Sequence, residues 1–138
     1  MTVLIRPFRD PDRPAVIALW SEAFPDEPAH NASSEMIDRK LRVQPGLFLV
    51  AEKEGNVVGS VMAGFDGVRG WLHRLAVLRS ARRGGVGTML VKAAEIALRE
   101  VGCPKLNLQV RSTNSEVIAF YGSLGYAIEQ RVSMGRKL

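Results

Sequence analysis

Hydrophobic positions alternate with polar ones in some segments of this chain and recur at helical spacing in others, so the sequence predicts both strands and helices. The segments with strand character are 3–8, 47–53, 57–65, 71–78, 106–110 and 126–134. The segments with helical character follow Asp10-Pro11-Asp12, begin at Ser33 or Ser34, run from Gly85 to Val101, and begin at Thr113 or Asn114. The resulting order, β-α-α-β-β-β-α-β-α-β, predicts an α/β fold with a mixed sheet and helices on both of its faces.

Glycine and proline mark the boundaries between these elements. The Gly55-Asn56 pair predicts a tight hairpin between the second and third strands, and Asp66-Gly67 predicts the next turn. Gly102 stands where a left-handed residue would end the third helix. The segment 24–33 contains two prolines and is expected to be a loop.

The composition is that of one globular domain spanning residues 1–138, with 46% hydrophobic residues. No apolar run reaches the roughly 18 residues of a membrane span, and the N-terminus lacks the pattern of a secretory signal. The single cysteine, Cys103, excludes an internal disulfide and a cysteine-based zinc site. We therefore expect a cytoplasmic protein without a metal or a membrane partner.

The net charge of +5 would also suit a nucleic-acid-binding module. Most basic residues are scattered, however, and only two clusters stand out. These clusters are Arg79, Arg82 and Arg83 beside a glycine-rich turn, and Arg131, Arg136 and Lys137 near the end of the chain. A site for an anionic cofactor explains the first cluster and a solvated terminus explains the second, so nucleic acid is not the expected partner.

The glycine-rich turn joins a predicted strand to a predicted helix and reads Arg82-Arg83-Gly84-Gly85-Val86-Gly87-Thr88. A helix that opens in this way directs backbone N–H groups and the positive end of its dipole toward one point. The glycines let an anion approach the backbone without a side chain in the way. The turn is therefore a candidate phosphate site, although it matches neither the dinucleotide fingerprint nor the Walker A loop. A turn with two solvated arginines is the alternative.

Three motifs resemble the GNAT acetyltransferase superfamily. The Arg-x-x-Gly-x-Gly pattern of Arg82, Gly85 and Gly87 resembles the family's pyrophosphate loop, which binds acetyl-CoA. Leu75-Ala76-Val77 precedes the loop, and Asn114-x6-Tyr121-x3-Gly125-Tyr126 follows at the family spacing. The segments 48–59 and 102–105 are also similar to small bacterial YpeA-type acetyltransferases.

The resemblance implies how the cofactor would be held. The N–H groups from Arg83 through Thr88, with Arg82 beside them, would surround the pyrophosphate. The strand Leu75-Ala76-Val77 would separate from its neighbour and bind the pantetheine arm, with the N–H of Leu75 or Ala76 facing the acetyl carbonyl. Asn114 would contact the same arm. The alternatives are a fully paired core strand at 75–77 and a plain helix cap at Asn114.

The acid and base candidates are Tyr121 and His73. A phenol of pKa about 10 can protonate a thiolate leaving group, although Tyr121 also lies on an apolar stripe and could be a core residue. His73 alternates with Leu75, so both are expected on one face of the strand, and this pattern resembles the arylalkylamine acetyltransferases. A histidine packed against a helix is the alternative. Weaker candidates are Glu52 on a strand and Asp66 in a turn, while His30 is expected in a loop and Cys103 as a packed thiol.

The sequence thus predicts an N-acetyltransferase that moves an acetyl group from acetyl-CoA to an amine of a small molecule or peptide by direct attack. A non-catalytic acyl-CoA-binding regulator is the alternative, and a nucleic-acid-binding module is a third interpretation. The family resemblance places the acceptor among residues 24–41 and the turn at 65–70. The identity of the amine and the oligomeric state, a homodimer included, stay open.

Overall fold

The computed structural model describes residues 2–26 and 30–138, except for the side chains at positions 30 and 31. It divides into a first unit that reaches to Leu108 and a second unit that runs from Gln109 to Leu138. No helix in the described residues is long and apolar enough to cross a membrane.

The first unit is built on a mixed sheet, as the sequence predicts, and this sheet has five strands. Its strands, in spatial and sequence order, are β1 (Val3–Pro7), β2 (Phe48–Lys53), β3 (Asn56–Phe65), β4 (Gly70–Val77) and β5 (Leu106–Leu108). The first four pair antiparallel, and β5 runs parallel to β4. The helices are α1 (Arg13–Ala23), α2 (His30–Leu41) and α3 (Val86–Glu100). α2 begins within the segment expected to be a loop, so the 24–33 prediction was wrong for residues 30–33.

Two consecutive residues of β3 show how the helices cover both faces of the sheet. Ser60 is fully buried and its Oγ accepts a hydrogen bond from Nε1 of Trp20 in α1 at 2.8 Å. A Cβ built on Gly59 would lie 2.9 Å from Leu90 and 3.3 Å from Val86, both in α3. Because successive residues of a strand point to opposite faces, α1 and α3 pack on opposite faces. Glycine at position 59 lets the start of α3 come close to the sheet.

The end of β3 extends beyond β2, and side chains from the end of α2 and the residues after it take the place of the missing neighbour. The β2 pairing stops at Met62, opposite Phe48. Nζ of Lys40 donates to the carbonyl of Ala63 at 2.5 Å. The Gln44 amide accepts from the N–H of Phe65 at 2.8 Å and donates to its carbonyl at 3.1 Å. The overhanging backbone is therefore hydrogen-bonded without a strand.

An ion-pair network joins the first strand to the second and to the turn before α1. The guanidinium of Arg6 contacts both carboxylate oxygens of Asp12 at 2.8 and 2.9 Å and Oε1 of Glu52 at 3.0 Å. Asp12 also accepts from the N–H of Arg9 at 2.8 Å. The Arg6 bonds and the Arg9 N–H bond lower the pKa of the Asp12 carboxyl. Burial of such a pair is tolerated because every charge has hydrogen-bonded partners.

The second unit contains α4 (Ser115–Ser123) and a C-terminal tail. The predicted strand at 126–134 was wrong, because no residue of this segment belongs to a strand in the described structure. Its apolar side chains point into solvent, with Ile128, Val132 and Met134 between 82% and 90% exposed. The N–H of Arg131 turns back to the carbonyl of Glu129. Alternation favours a strand only where a second strand is available to pair with it.

Candidate functional site

The glycine-rich turn has backbone geometry that suits an anion. α3 starts at Val86, after Arg83 with φ of 70° and Gly85 with φ of 76°. No side chain among the described residues caps this end of α3. The N–H groups of Val86, Gly87 and Thr88 have no partner within the helix. They point outward from its N-terminus, which is the positive end of the helix dipole. The turn therefore presents free donors and positive potential together.

The turn is also open to solvent. Arg82, Arg83, Gly84 and Gly85 are exposed, and a Cβ built at Gly85 would meet no heavy atom within 4 Å. The side chain of Val86 is buried in the core, so this residue can contribute only its backbone N–H. An anion of the size of a phosphate could reach the backbone from the solvent side.

The strand before the turn is open along one edge. β4 pairs with β5 only from Gly70 to Leu72, and the residues after Leu72 have no ladder on that side in the described structure. Ala76 pairs with Ser60 of β3 on the other side. Backbone groups alternate in direction along a strand, so those of Leu75 and Val77 face the open edge. The alternative of a strand paired along both edges is therefore wrong for residues 73–77.

A β-bulge, which no pattern in the sequence predicts, lies within this open stretch. Ser60 pairs with Ala76 and Met62 pairs with His73, so the single residue between them on β3 faces both Arg74 and Leu75. Arg74 is left-handed, with φ of 56°. Arginine is not a residue that favours this conformation, so no local signal marked the bulge.

The bulge is held from the α1 side. The guanidinium of Arg74 lies 5.4 Å from the ring centre of Trp20 and 4.7 Å from that of Phe24. Its carbonyl accepts a hydrogen bond from Oγ of Ser60 at 2.9 Å. Contacts from both side chain and backbone thus fix the residue that precedes Leu75.

The bulge also changes which residues share a face. Directly paired residues on neighbouring strands point to the same side. His73 therefore shares a face with Met62, and Ala76 shares that face through its partner Ser60. The extra residue shifts the alternation, so the expectation that His73 and Leu75 point to one face was wrong.

His73 lies on the same face of the sheet as Met62, and its side chain keeps access to solvent. Partial burial, followed by the positive charges of Lys40 and Arg74, holds the pKa of its imidazole below the ordinary 6.5. The ring is therefore neutral at physiological pH and can accept a proton. Lys40 itself has a lowered pKa because it is half-buried.

The two candidates of the second unit have well-defined local surroundings. Asn114 caps α4, since its Oδ1 accepts from the N–H of Val117 at 3.3 Å. Tyr121 is 7% exposed and makes edge-on ring contacts with Phe120 and Tyr126. Burial raises the pKa of its phenol to about 12, so the hydroxyl stays protonated at physiological pH.

The weaker candidates have structural partners. Glu52 pairs with Arg6. Asp66 accepts from two backbone N–H groups of its own turn at 2.8 Å, and these bonds lower the pKa of its carboxyl. The thiol of Cys103 donates to the carbonyl of Lys105 and lies against Gly70. His30 is the first residue of α2 and not part of a loop, while positions 27–29 of the segment expected to be a loop lie outside the described residues. Among the described residues, no three His, Cys, Asp or Glu side chains group together as metal ligands.

Comparison with known proteins assigns the family. The model of the acetyltransferase (GNAT) family matches residues 13–126. The chain belongs to the GNAT family. A Pectobacterium atrosepticum acetyltransferase is 41% identical over 134 residues, covering 97% of this chain and 94% of the relative. An acetyltransferase of Sodalis glossinidius is 42% identical over 135 residues with the same coverage. This GNAT chain is accordingly an acetyl-CoA-dependent acetyltransferase.

Solved GNAT-fold structures confirm the fold class. Ard1 from Thermoplasma volcanium aligns with a TM-score of 0.84 at 27% identity, covering 94% of this chain and 85% of that one. The aminoglycoside N-acetyltransferase AAC(6')-Iy, solved with a CoA-containing bisubstrate analogue, aligns with a TM-score of 0.85 over 100% and 99% of the two chains. At 20% identity, this second likeness concerns the fold alone.

Proposed function

We propose that this chain transfers the acetyl group of acetyl-CoA to an amine of a small molecule or peptide by direct attack. The observation that carries the proposal is the succession of the open β4 edge and the anion-suited turn, with β4 ending at Val77 and α3 starting at Val86. One feature suits an amide-bearing arm and the other suits a pyrophosphate, and an extended CoA molecule has both.

The residues of the turn would hold the pyrophosphate. The N–H groups from Arg83 through Thr88 would donate to it, and the exposed arginines would add screened positive charge. Nε of Arg82 donates to the carbonyl of Val77 at 3.3 Å in the free protein. This arginine would release the carbonyl when the pantetheine arm occupies the β4 edge. Asn114 is assigned to the same arm by family resemblance.

Leu75 would polarise the thioester. Its N–H follows the bulge and faces the open edge, where a carbonyl oxygen that gains negative charge would be stabilised by a fixed donor. A backbone N–H held in place needs no reorganisation during the reaction. Ala76 contributes to packing, since its own backbone pairs with β3.

His73 would accept the proton of the attacking amine, and Tyr121 would supply a proton to the departing sulfur. The new bond joins the amine nitrogen to the carbonyl carbon, and the carbon–sulfur bond breaks. The positive charges of Lys40 and Arg74 near His73 disfavour a protonated amine there, which promotes the neutral, attacking form. No covalent acyl-enzyme is needed. Cytoplasmic localisation stays part of this proposal and rests on the sequence expectation.

An acceptor screen tests the proposal. Thiol release from acetyl-CoA is followed with aminoglycosides, polyamines, amino acids and peptides with a free N-terminus, and products are identified by mass. We expect release that depends on one amine class and an N-acetylated product. Tight CoA binding without release in any acceptor class would instead support the non-catalytic acyl-CoA-binding regulator.

A further inference from the structure

Ser60 lies between α1 and the β4 bulge and connects the two. Its hydroxyl accepts from Nε1 of Trp20 at 2.8 Å and donates to the carbonyl of Arg74 at 2.9 Å. Both Ser60 and Trp20 are buried, at 0% and 1% exposure. A buried indole N–H requires an acceptor, so the Trp20 bond commits the hydroxyl proton of Ser60 to the Arg74 carbonyl.

The Arg74 carbonyl belongs to the same peptide unit as the Leu75 N–H. A peptide unit is planar, with its C=O and N–H directed to opposite sides. Fixing the direction of the carbonyl toward Ser60 therefore fixes the direction of the N–H toward the open β4 edge. The side-chain stack of Arg74 on Trp20 and Phe24 holds the rest of the left-handed residue.

We propose that Ser60, oriented by Trp20, is a positioning residue for acetyl transfer, because it sets the orientation of the peptide unit whose N–H polarises the thioester carbonyl. The inference rests on the role proposed above for the Leu75 N–H. Ser60 itself touches neither cofactor nor acceptor. Without its hydroxyl, the peptide unit between Arg74 and Leu75 loses the bond that selects one orientation, while the Arg74 side chain keeps its contacts with Trp20, Phe24 and Met36.

Three variants separate this role from general stability. Ser60→Ala removes the bond to Arg74. Trp20→Phe removes the N–H donor but leaves the Ser60 hydroxyl and an aromatic ring. Val50→Ala is the matched control, since Val50 is fully buried in the hydrophobic core that also contains Trp20 and makes no hydrogen bond to the bulge through its side chain.

Two measurements need no acceptor. In the free protein, backbone NMR of Ser60→Ala should show shifted signals and faster hydrogen exchange for the amides of 74–76, whereas Val50→Ala should not. With acetyl-CoA labelled with carbon-13 at the carbonyl, binding should move the carbonyl signal downfield in the wild type and less in Ser60→Ala. Affinity for CoA should stay within about two-fold, because the pyrophosphate turn is untouched.

Turnover completes the test. Ser60→Ala should lower kcat roughly 10- to 100-fold with little change in KM for acetyl-CoA, somewhat less than deletion of an oxyanion donor. The fall in kcat should be smaller for Trp20→Phe than for Ser60→Ala. Val50→Ala should keep the wild-type kcat at a temperature where it is folded. Unchanged amides at 74–76 in Ser60→Ala, or an equal loss in Val50→Ala, would overturn the positioning role. Altered amides with unchanged turnover would instead refute the proposed polarisation by Leu75 and leave the bulge a structural feature.

Discussion

The neighbours of a single side chain decide what chemistry it can perform. The side chain of His73 reaches solvent, yet partial burial and two cations lower the pKa of its imidazole, so more of it is neutral than of an ordinary histidine at the same pH. The pKa of Tyr121 is shifted in the opposite direction, to a higher value, because a buried phenolate lacks solvation. One group is therefore a ready proton acceptor and the other a retained proton donor.

The pH dependence of turnover should show the lowered pKa of His73. Since the base must be neutral, kcat/KM should rise with pH and level off through a midpoint below 6.5. Lys40→Met removes a positive charge that lowers this pKa, so the midpoint should move to higher pH. An NMR titration resolves the two histidines of the chain and checks the assignment. His73→Gln should abolish the acidic limb, and a limb that survives in this variant would exclude His73 as the base.

Tyr121→Phe should separate chemistry from packing. The ring and its edge-on contacts stay, while the proton donor is deleted, so we expect a loss of about 10²–10⁴ in kcat if proton transfer limits the rate. Calorimetric CoA affinity should be nearly unchanged. Tyr126→Phe is the control, because it removes a hydroxyl from the ring packed against Tyr121. Wild-type turnover in Tyr121→Phe would mean that the thiolate leaves unprotonated or that water protonates it.

Elements whose boundaries are determined by nearby residues, such as glycines in turns, could be predicted from the sequence. The glycine-rich turn and the apolar periodicity that follows it predict α3 correctly, and Gly55-Asn56 predicts the β2–β3 turn to within one residue, since Glu54 and Gly55 form it. The open β4 edge came from family resemblance, since paired and unpaired strands carry the same side chains. These features cover the turn and strand proposed to bind the cofactor.

The bulge in β4 could not be predicted in the same way. Its left-handed residue is an arginine, and the partners that hold it, Ser60 and Trp20, are 14 and 54 positions away (74 − 60 and 74 − 20). Nothing within a few residues of Arg74 encodes the conformation. The strand prediction for residues 126–134 was wrong for a related reason, because alternating apolar residues do not specify a partner strand.

The pyrophosphate turn should depend more on its backbone than on its charge. Gly85→Val places a branched side chain on a left-handed residue and across the exposed N–H groups, and it should weaken CoA binding by at least about ten-fold. Arg83→Ala removes one exposed, screened charge and should cost less. Calorimetric titration of both variants measures the difference. A larger loss in Arg83→Ala would show that side-chain charge dominates.

At the scale of the molecule, the Arg6 network fastens the edge strand β1 and its neighbour β2 to the turn before α1. The side chains of Arg6 and Asp12 are only 11% and 10% exposed, so solvent screens their attraction weakly. Breaking a buried pair leaves one charge uncompensated. The network therefore ties stability to pH through Asp12.

Asp12→Asn should lower the free energy of unfolding by about 1–3 kcal/mol at pH 7, since it weakens charged hydrogen bonds to Arg6. The folded-state pKa of Asp12 lies below its ordinary 3.8. The stability it provides is thus complete above that ordinary value and declines as the pH falls through the lower folded value. Urea unfolding at pH 7 and at about pH 3 should show the gap between wild type and variant shrinking. A gap that stays constant would mean that Asp12 acts through packing.

The side chains that cover the overhanging end of β3 have a consequence for the behaviour of the protein in concentrated solution. Uncovered backbone at a sheet margin is a template onto which a foreign strand can add, and this is a common origin of aggregation. Lys40 and Gln44 occupy these donors and acceptors, and Lys40 brings a charge to the margin. Gln44 thus prevents the addition of a foreign strand at this margin, and it also stabilises the end of β3. A Gln44→Ala protein should scatter light at lower temperature on heating than its loss of stability alone would explain.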